Sequence, residues 1–214
     1  MKIFKTISLT LCLCLATCLG TINAQTKKNA NFDAGIAAIE ANNMPLAYKK
    51  FLAAAKEGHI DSQYNVALMY EKGMGVPKNL KEALIWYNKA AEQGNSNAQF
   101  NLGVLYENGT GTSIDYAKAH KWYRKAILQN DGLAVGNLGM LYLRGQGVKT
   151  NKIAGMALLL VSVQMDQSPE NNARKNISAT RDLTMSMIKE AQTLSDKMNN
   201  SKNILLPLDQ YLKK

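Results

Sequence analysis

The chain repeats itself every 36 residues, and this constrains its fold more than any other feature. Tyr70, Tyr106 and Tyr142 are one period apart, as are Gly73, Gly109 and Gly145, and Gly75, Gly111 and Gly147. Asn65, Asn101 and Asn137 keep the step, and so do Ser62, Ala98 and Ala134. Trp86-Tyr87 returns as Trp122-Tyr123 and then as Leu158-Leu159, and Ala90 returns as Ala126 and Ser162. A period of this size means stacked supersecondary units, each too small to bury its apolar face alone.

Each unit reads as two helices. Apolar or small residues fall at 66, 67 and 70 in Ser62–Lys72, and at 80, 83, 84, 87, 90 and 91 in Leu80–Gln93. Both sets fit a 3.6-residue period. Gly73-Met74-Gly75-Val76-Pro77 separates them, with glycines for the turn and a proline that cannot continue the first helix. Gly94 ends the second helix. Small residues at 67, 103 and 139 let the second helix cross closely, and aromatics at 70, 87, 106, 123 and 142 fill the space between pairs.

The string Asn65–Ala91, NVALMYEKGMGVPKNLKEALIWYNKAA, resembles the Sel-one-like repeat (SLR), a relative of the tetratricopeptide repeat. The family pattern is L-G-x-x-Y-x-x-G-x-G-V followed by K-A-x-x-W-Y-x-K-A-A-x-x-G. Asn101–Ala126 matches it with departures at Thr112 and Ile127, and Asn137–Val163 is a decayed third copy. Ahead of these, the spacing of Gly35, Ala47, Phe51 and Ala54 resembles an ordinary tetratricopeptide unit, four residues shorter in its loop. The resemblance covers residues 32–198. It implies an all-α chain of about ten helices, a right-handed α-solenoid of antiparallel helix pairs without a sheet. The units are expected at about 32–58, 59–94, 95–130 and 131–166, with a closing pair at 169–198. Pro169 is expected to start the first closing helix and Thr184 to cap the second. A terminal unit should show a less apolar outer face, which is the reading given to the change from Trp-Tyr to Leu158-Leu159. The tail, residues 199–214, either folds back onto the last helices or is a mobile apolar peptide.

The first 24 residues read as a signal peptide. Lys2 and Lys5 precede an apolar stretch from Ile7 to about Leu19, and Ile22-Asn23-Ala24 offers a small-residue cleavage site. That stretch is shorter than a membrane-spanning helix, and the later apolar run Ala157–Val163 is shorter still. The expectation is export to the periplasm or beyond, with domain 25–198 following the leader. A competing reading takes Leu15-Ala16-Thr17-Cys18 as a lipobox and places a lipid anchor on Cys18, although Thr17 departs from the small residue usual there. Cleavage after Ala24 removes Cys12, Cys14 and Cys18, all of the cysteines. It also removes two of the charges that make up the +10 of the whole sequence, leaving +8. The mature chain then has no disulfide, thiolate nucleophile or cysteine metal site.

Chemistry-bearing residues are few. His59 and His120 lie at non-equivalent positions of different units, read as surface histidines, and have no partner at catalytic or metal-binding spacing. The Gly-x-Gly pairs lack the Lys-Ser/Thr and preceding strand of a phosphate loop. No catalytic, cofactor or metal residue is expected, and the aromatics are assigned to packing. The positive charge is spread evenly over both halves without a basic run, which argues against a nucleic-acid partner.

What remains is a groove along the first helices. With 66, 67 and 70 packed inward, the opposite face carries Asp61, Tyr64, Leu68, Glu71 and Lys72 in one unit. In the next it carries Asn97, Phe100, Val104, Glu107 and Asn108, and in the third Leu133, Gly136, Met140, Leu143 and Arg144. Apolar side chains with charges along one rim suit a protein or peptide partner. The leading expectation is a non-catalytic, monomeric scaffold for protein–protein interaction. A narrower alternative, implied by the family resemblance, is a periplasmic immunity or inhibitor protein that neutralises a secreted toxin. The resemblance also brings in a weak β-lactam-binding hydrolase, known in a cysteine-rich branch of the family whose defining cysteines the mature chain lacks.

Overall fold

The computed structural model describes residues 29–213, and all regular structure among them is helical. The leader, its three cysteines and the lipid-anchor position Cys18 lie outside the described residues. The chain divides into two compact units between Gln93 and Gly94. The first holds α1 (Ala30–Glu40), α2 (Met44–Lys56), α3 (Ile60–Lys72) and α4 (Leu80–Glu92). The second holds α5 (Ser96–Asn108), α6 (Tyr116–Ile127), α7 (Gly132–Arg144), α8 (Lys152–Met165), α9 (Ala173–Ala179), α10 (Met185–Asn199) and α11 (Leu205–Leu212). Consecutive helices pair as antiparallel hairpins: α1 with α2, α3 with α4, α5 with α6, α7 with α8.

Side-chain caps set the helix starts. Asn43, Asn79, Asp115 and Asn151 cap α2, α4, α6 and α8, each accepting backbone N–H bonds from the first turn. His59, Asn95 and Asp131 cap α3, α5 and α7. Each cap contributes about 1 kcal/mol. The first helix of every long-loop repeat ends on a glycine in the left-handed region: Gly73, Gly109 and Gly145, with φ of 73°, 68° and 69°. The loop then closes on itself. The backbone N–H of Asn79, Asp115 and Asn151 donates at 2.9 Å to the carbonyl of Tyr70, Tyr106 and Tyr142 respectively. The α1–α2 connection is the three residues 41–43, against seven in 73–79, as the short-loop reading of the first pair requires.

Within each unit the second glycine of a loop joins one pair to the pair before it. Gly75 (φ +70°) sits so close to the start of α2 that a Cβ would overlap the Met44 carbonyl. Gly147 (φ +69°) lies against the start of α6, where a Cβ would stand 2.7 Å from Tyr116. Within pairs, the small positions admit a large partner: Gly35 faces Phe51, Gly103 faces Tyr123, and Gly139 faces the Gly155 carbonyl and Leu158. Phe51, Tyr123, Leu158 and Leu159 are fully buried.

The end of the array differs from the expectation in two respects. First, α8 is an enclosed helix rather than an outer face: Ala154–Leu159, Val161 and Ser162 are all buried. Its covering helices are α7, α9, α10 and α11. Leu158-Leu159 therefore records added burial, not a surface end. Second, Pro169 stands in an irregular turn and α9 begins only at Ala173. Asn171 dominates that turn, donating to the carbonyls of Ser162 (3.0 Å) and Asp166 (2.7 Å). The tail takes the first of its two expected courses and folds back as a helix: α11 packs on α10 and α8, which brings the described helices to eleven. The expected cap of α10 is in place, with Met187 N–H donating to Thr184 Oγ1 at 3.2 Å.

His59 is also not the surface residue expected. It is 9% exposed, stacks on Phe32 with centroids 4.6 Å apart, and accepts the Ser62 N–H on Nδ1 at 3.2 Å. It occupies the capping position that Asn95 and Asp131 fill one and two periods later. Only a neutral ring can accept that bond. Burial lowers its pKa from the usual 6.5, while Asp61, Asp33 and Glu57 pull the other way.

Two predictions follow from these contacts. Gly147→Ala forces an alanine into the left-handed region and onto Tyr116, and should lower the thermal midpoint by roughly 6–10 °C. Gly58→Ala has positive φ but meets nothing within 4 Å, and should cost only about 1 kcal/mol. Equal losses for the two would remove the close approach as the reason for the loop's second glycine. For His59, the unfolded chain takes up a proton before the folded one. Its contribution to stability is therefore complete above pH 6.5, declines on acidification, and levels off below the lowered folded pKa. His59→Asn keeps the cap, so melting curves between pH 7.5 and 5 should show a smaller acid loss than the parent.

Candidate functional site

The positions assigned to the open face of the first helices are half-buried or exposed in each unit, except Gly136, which is buried against Ser162. In the first, Asp61, Tyr64 and Leu68 are half-buried and Lys72 is exposed. The Tyr64 ring lies 5.8 Å from that of Tyr87. Glu71 turns toward the partner helix, accepting from the Tyr87 hydroxyl at 2.8 Å, and also pairs with Lys72 at 2.6 Å.

The second unit repeats this arrangement and extends it. Phe100, Val104, Met140 and Leu143 are half-buried, while Asn97, Asn108 and Arg144 are exposed. The Phe100 ring lies 6.1 Å from that of Tyr123. Glu107 accepts from the Tyr123 hydroxyl at 2.6 Å, and Arg144 reaches it across α5 and α7 at 4.0 Å. Asn137 donates to the same Tyr123 oxygen at 3.1 Å. Burial first, then the neighbouring Glu107, raises the Tyr123 pKa far above its ordinary value. The phenol stays protonated and serves as a donor holding the carboxylate. Leu143 stands where Glu107 and Glu71 stand one and two periods earlier, and it packs on Gly155. The structure thus brings together Phe100, Glu107 and Arg144 around Tyr123, while Glu71, Glu107 and Leu143 also serve the interior of their own hairpins.

Three polar constellations escaped the sequence reading. Two are periodic. Gln93 donates to Gln63 at 2.6 Å and Gln129 to Gln99 at 2.8 Å, tying the end of each second helix to the start of its first. The tyrosine–glutamate bond recurs at the same step. The signal was available: in the third copy both members of each pair change together, to Val135 with Met165 and to Leu143 with Leu159. The third constellation is not periodic. The Arg124 guanidinium binds Asp209 at 2.6 Å, and His120 Nε2 meets the Tyr142 hydroxyl at 3.3 Å. Burial, and secondarily Arg124, lowers the His120 pKa, with Asp209 opposing. No sequence period could have placed Asp209, 85 residues away, beside Arg124.

Two further charges pack on rings. Lys89 and Lys125 lie over the rings of Trp86 and Trp122, 3.9 and 4.3 Å from the centroids. Among the described residues no group of three His, Cys, Asp or Glu side chains could hold a metal ion. No helix among them is long and apolar enough to cross a membrane.

The geometry agrees with what known proteins show. The model of the Sel1 repeat family matches residues 60–95, 96–131 and 133–162. These bounds coincide closely with the hairpins α3–α4, α5–α6 and α7–α8. A crystal structure of a Sel1 repeat protein from Oxalobacter formigenes is 35% identical, with a TM-score of 0.61, over 70% of this chain and 59% of its own. A protective antigen present in uropathogenic Escherichia coli strains, displaying an SLR fold, is 26% identical with a TM-score of 0.64. That likeness covers 86% of this chain and 44% of the antigen. The chain thus spans about three fifths of the first relative and less than half of the second. No curated protein matches it. The motifs, the hairpins and these likenesses agree: the chain is a Sel1-like repeat protein, with an all-helical SLR fold built on three such repeats.

Proposed function

We propose that this chain is a non-catalytic scaffold that holds a protein or peptide partner on the outer face of its first helices. The observation that carries the reading is the face of α5 and α7. There Phe100, Val104 and Met140 are half-exposed apolar groups on adjoining helices, with Glu107 and Arg144 joined at one rim. Apolar area with fixed charges at its border recognises an amphipathic segment: burial supplies affinity and the rim supplies register. The first unit carries the corresponding residues Tyr64, Leu68 and Lys72. The buried tyrosine behind each patch makes the face rigid, so a partner meets it pre-organised. The predicted leader would place the encounter outside the cytoplasm.

The test is affinity capture with the mature chain and with Phe100→Ala and Met140→Glu variants, followed by titration of each captured protein against all three. Each substitution should weaken the true partner roughly tenfold or more, with the thermal midpoint within a few degrees of the parent. Binding unchanged in both variants would remove this face as the site. Glu107 is avoided as a probe because its loss would leave the Tyr123 hydroxyl short of a partner.

A further inference from the structure

The second helices carry a binding bed that the chain fills with its own C-terminal helix. Helix α11 packs on α10 and α8 and reaches α6 through the Asp209–Arg124 ion pair at 2.6 Å. Leu205 and Leu208 are buried, Asp209 follows one residue on, and Leu206 points away, 51% exposed. At its far end Tyr211 is half-buried beside Glu190 of α10 and Asn151 at the start of α8. An apolar pair three residues apart with an adjacent carboxylate is how an amphipathic helix reads a groove.

The bed is tuned to that carboxylate. The positions equivalent to Arg124 are Asn88 and Leu160, and those equivalent to His120 are Leu84 and Met156. Both polar residues therefore depart from their own repeat, and they do so where α11 lies. Tyr142, hydrogen-bonded to His120, completes the cluster.

The helix is lightly held. It has eight residues and no side-chain cap, far below the length at which an isolated helix is stable in water. Its connection to α10 bonds to itself: Ser201 Oγ donates to the Asn203 carbonyl at 2.8 Å, and Leu205 N–H donates to Asn203 Oδ1 at 3.0 Å. Segments with few buried contacts open locally at small free-energy cost.

We propose that α11 is an intramolecular stand-in for an amphipathic helix of another protein, one that carries a carboxylate at the position of Asp209 and takes the bed on α6, α8 and α10 when α11 lifts. This second site is independent of the first-helix face and stands whether or not that face binds a partner. The arrangement makes α11 a competitor, so a partner must outbid a tethered ligand.

The test uses the full mature chain and a labelled peptide of residues 200–213. In a Leu205→Ser/Leu208→Ser variant α11 should leave the bed, and the peptide should bind roughly tenfold tighter than it does to the parent. An Asp209→Lys peptide should lose most of that gain, and Arg124→Asp in the chain should restore its binding. No binding to a variant that keeps its helicity overturns the proposal, as does equal binding of the Asp209→Lys peptide. A released variant that dimerises assigns the bed to a second copy and also overturns it. Should that variant fail to fold, hydrogen exchange on the unmodified chain decides. Amides of α11 should exchange roughly a hundredfold faster than those of α8, and equal protection would make α11 a fixed part of the core.

Discussion

The approach of a loop's second glycine to the start of the preceding second helix, at Gly75 in the first unit and Gly147 in the second, is the contact on which the stacking within each unit depends. At Gly75 and Gly147 the backbone of one hairpin lies against the backbone of another with no room for a side chain. The contact fixes the position of the incoming hairpin at a point set by backbone, not by adaptable side chains. The other periodic features serve it. The left-handed glycine at 73, 109 or 145 turns the chain toward it. The bond from residue 79, 115 or 151 back to the tyrosine carbonyl holds the loop shut. The capping side chain at that same residue starts the second helix.

The hairpins themselves follow another rule, small against large. Gly103 exists because Tyr123 is there, and Tyr123 in turn reaches past the crossing to hold Glu107 and Asn137. A residue chosen for packing thus also orders the outer face, which is why the face and the core cannot be assigned separately from sequence. Glu71 and Glu107 occupy face positions yet answer to buried tyrosines.

Most of the fold was legible because it repeats. A periodic signal survives noise at any one position, so helices, loops, glycines and crossings could be placed from Tyr70, Gly73, Gly75 and their successors. What was missed does not repeat or repeats in changed chemistry. His59 hid because a histidine does the work of the asparagine and aspartate found later. The enclosed α8 was misread because its covering helices, α9 to α11, lie outside the period. Arg124 and His120 depart from their repeat, but only the structure sets Asp209 beside Arg124. Long-range pairing of unlike elements leaves no local pattern to read.

The loss of the glutamine and tyrosine–glutamate pairs in the third copy governs how such a chain could lengthen. Val135, Met165, Leu143 and Leu159 have traded directional bonds for apolar contact, and α9, α10 and α11 cover α8, the helix that carries Leu159 and Met165. A further hairpin added beyond them would displace that cover and find no hydrogen-bonding partner waiting. The first and second long-loop repeats each keep the glycine pair, the cap and the glutamine pair within their own hairpin. A copy of either would bring its internal bonds with it, and a copy of the third would not.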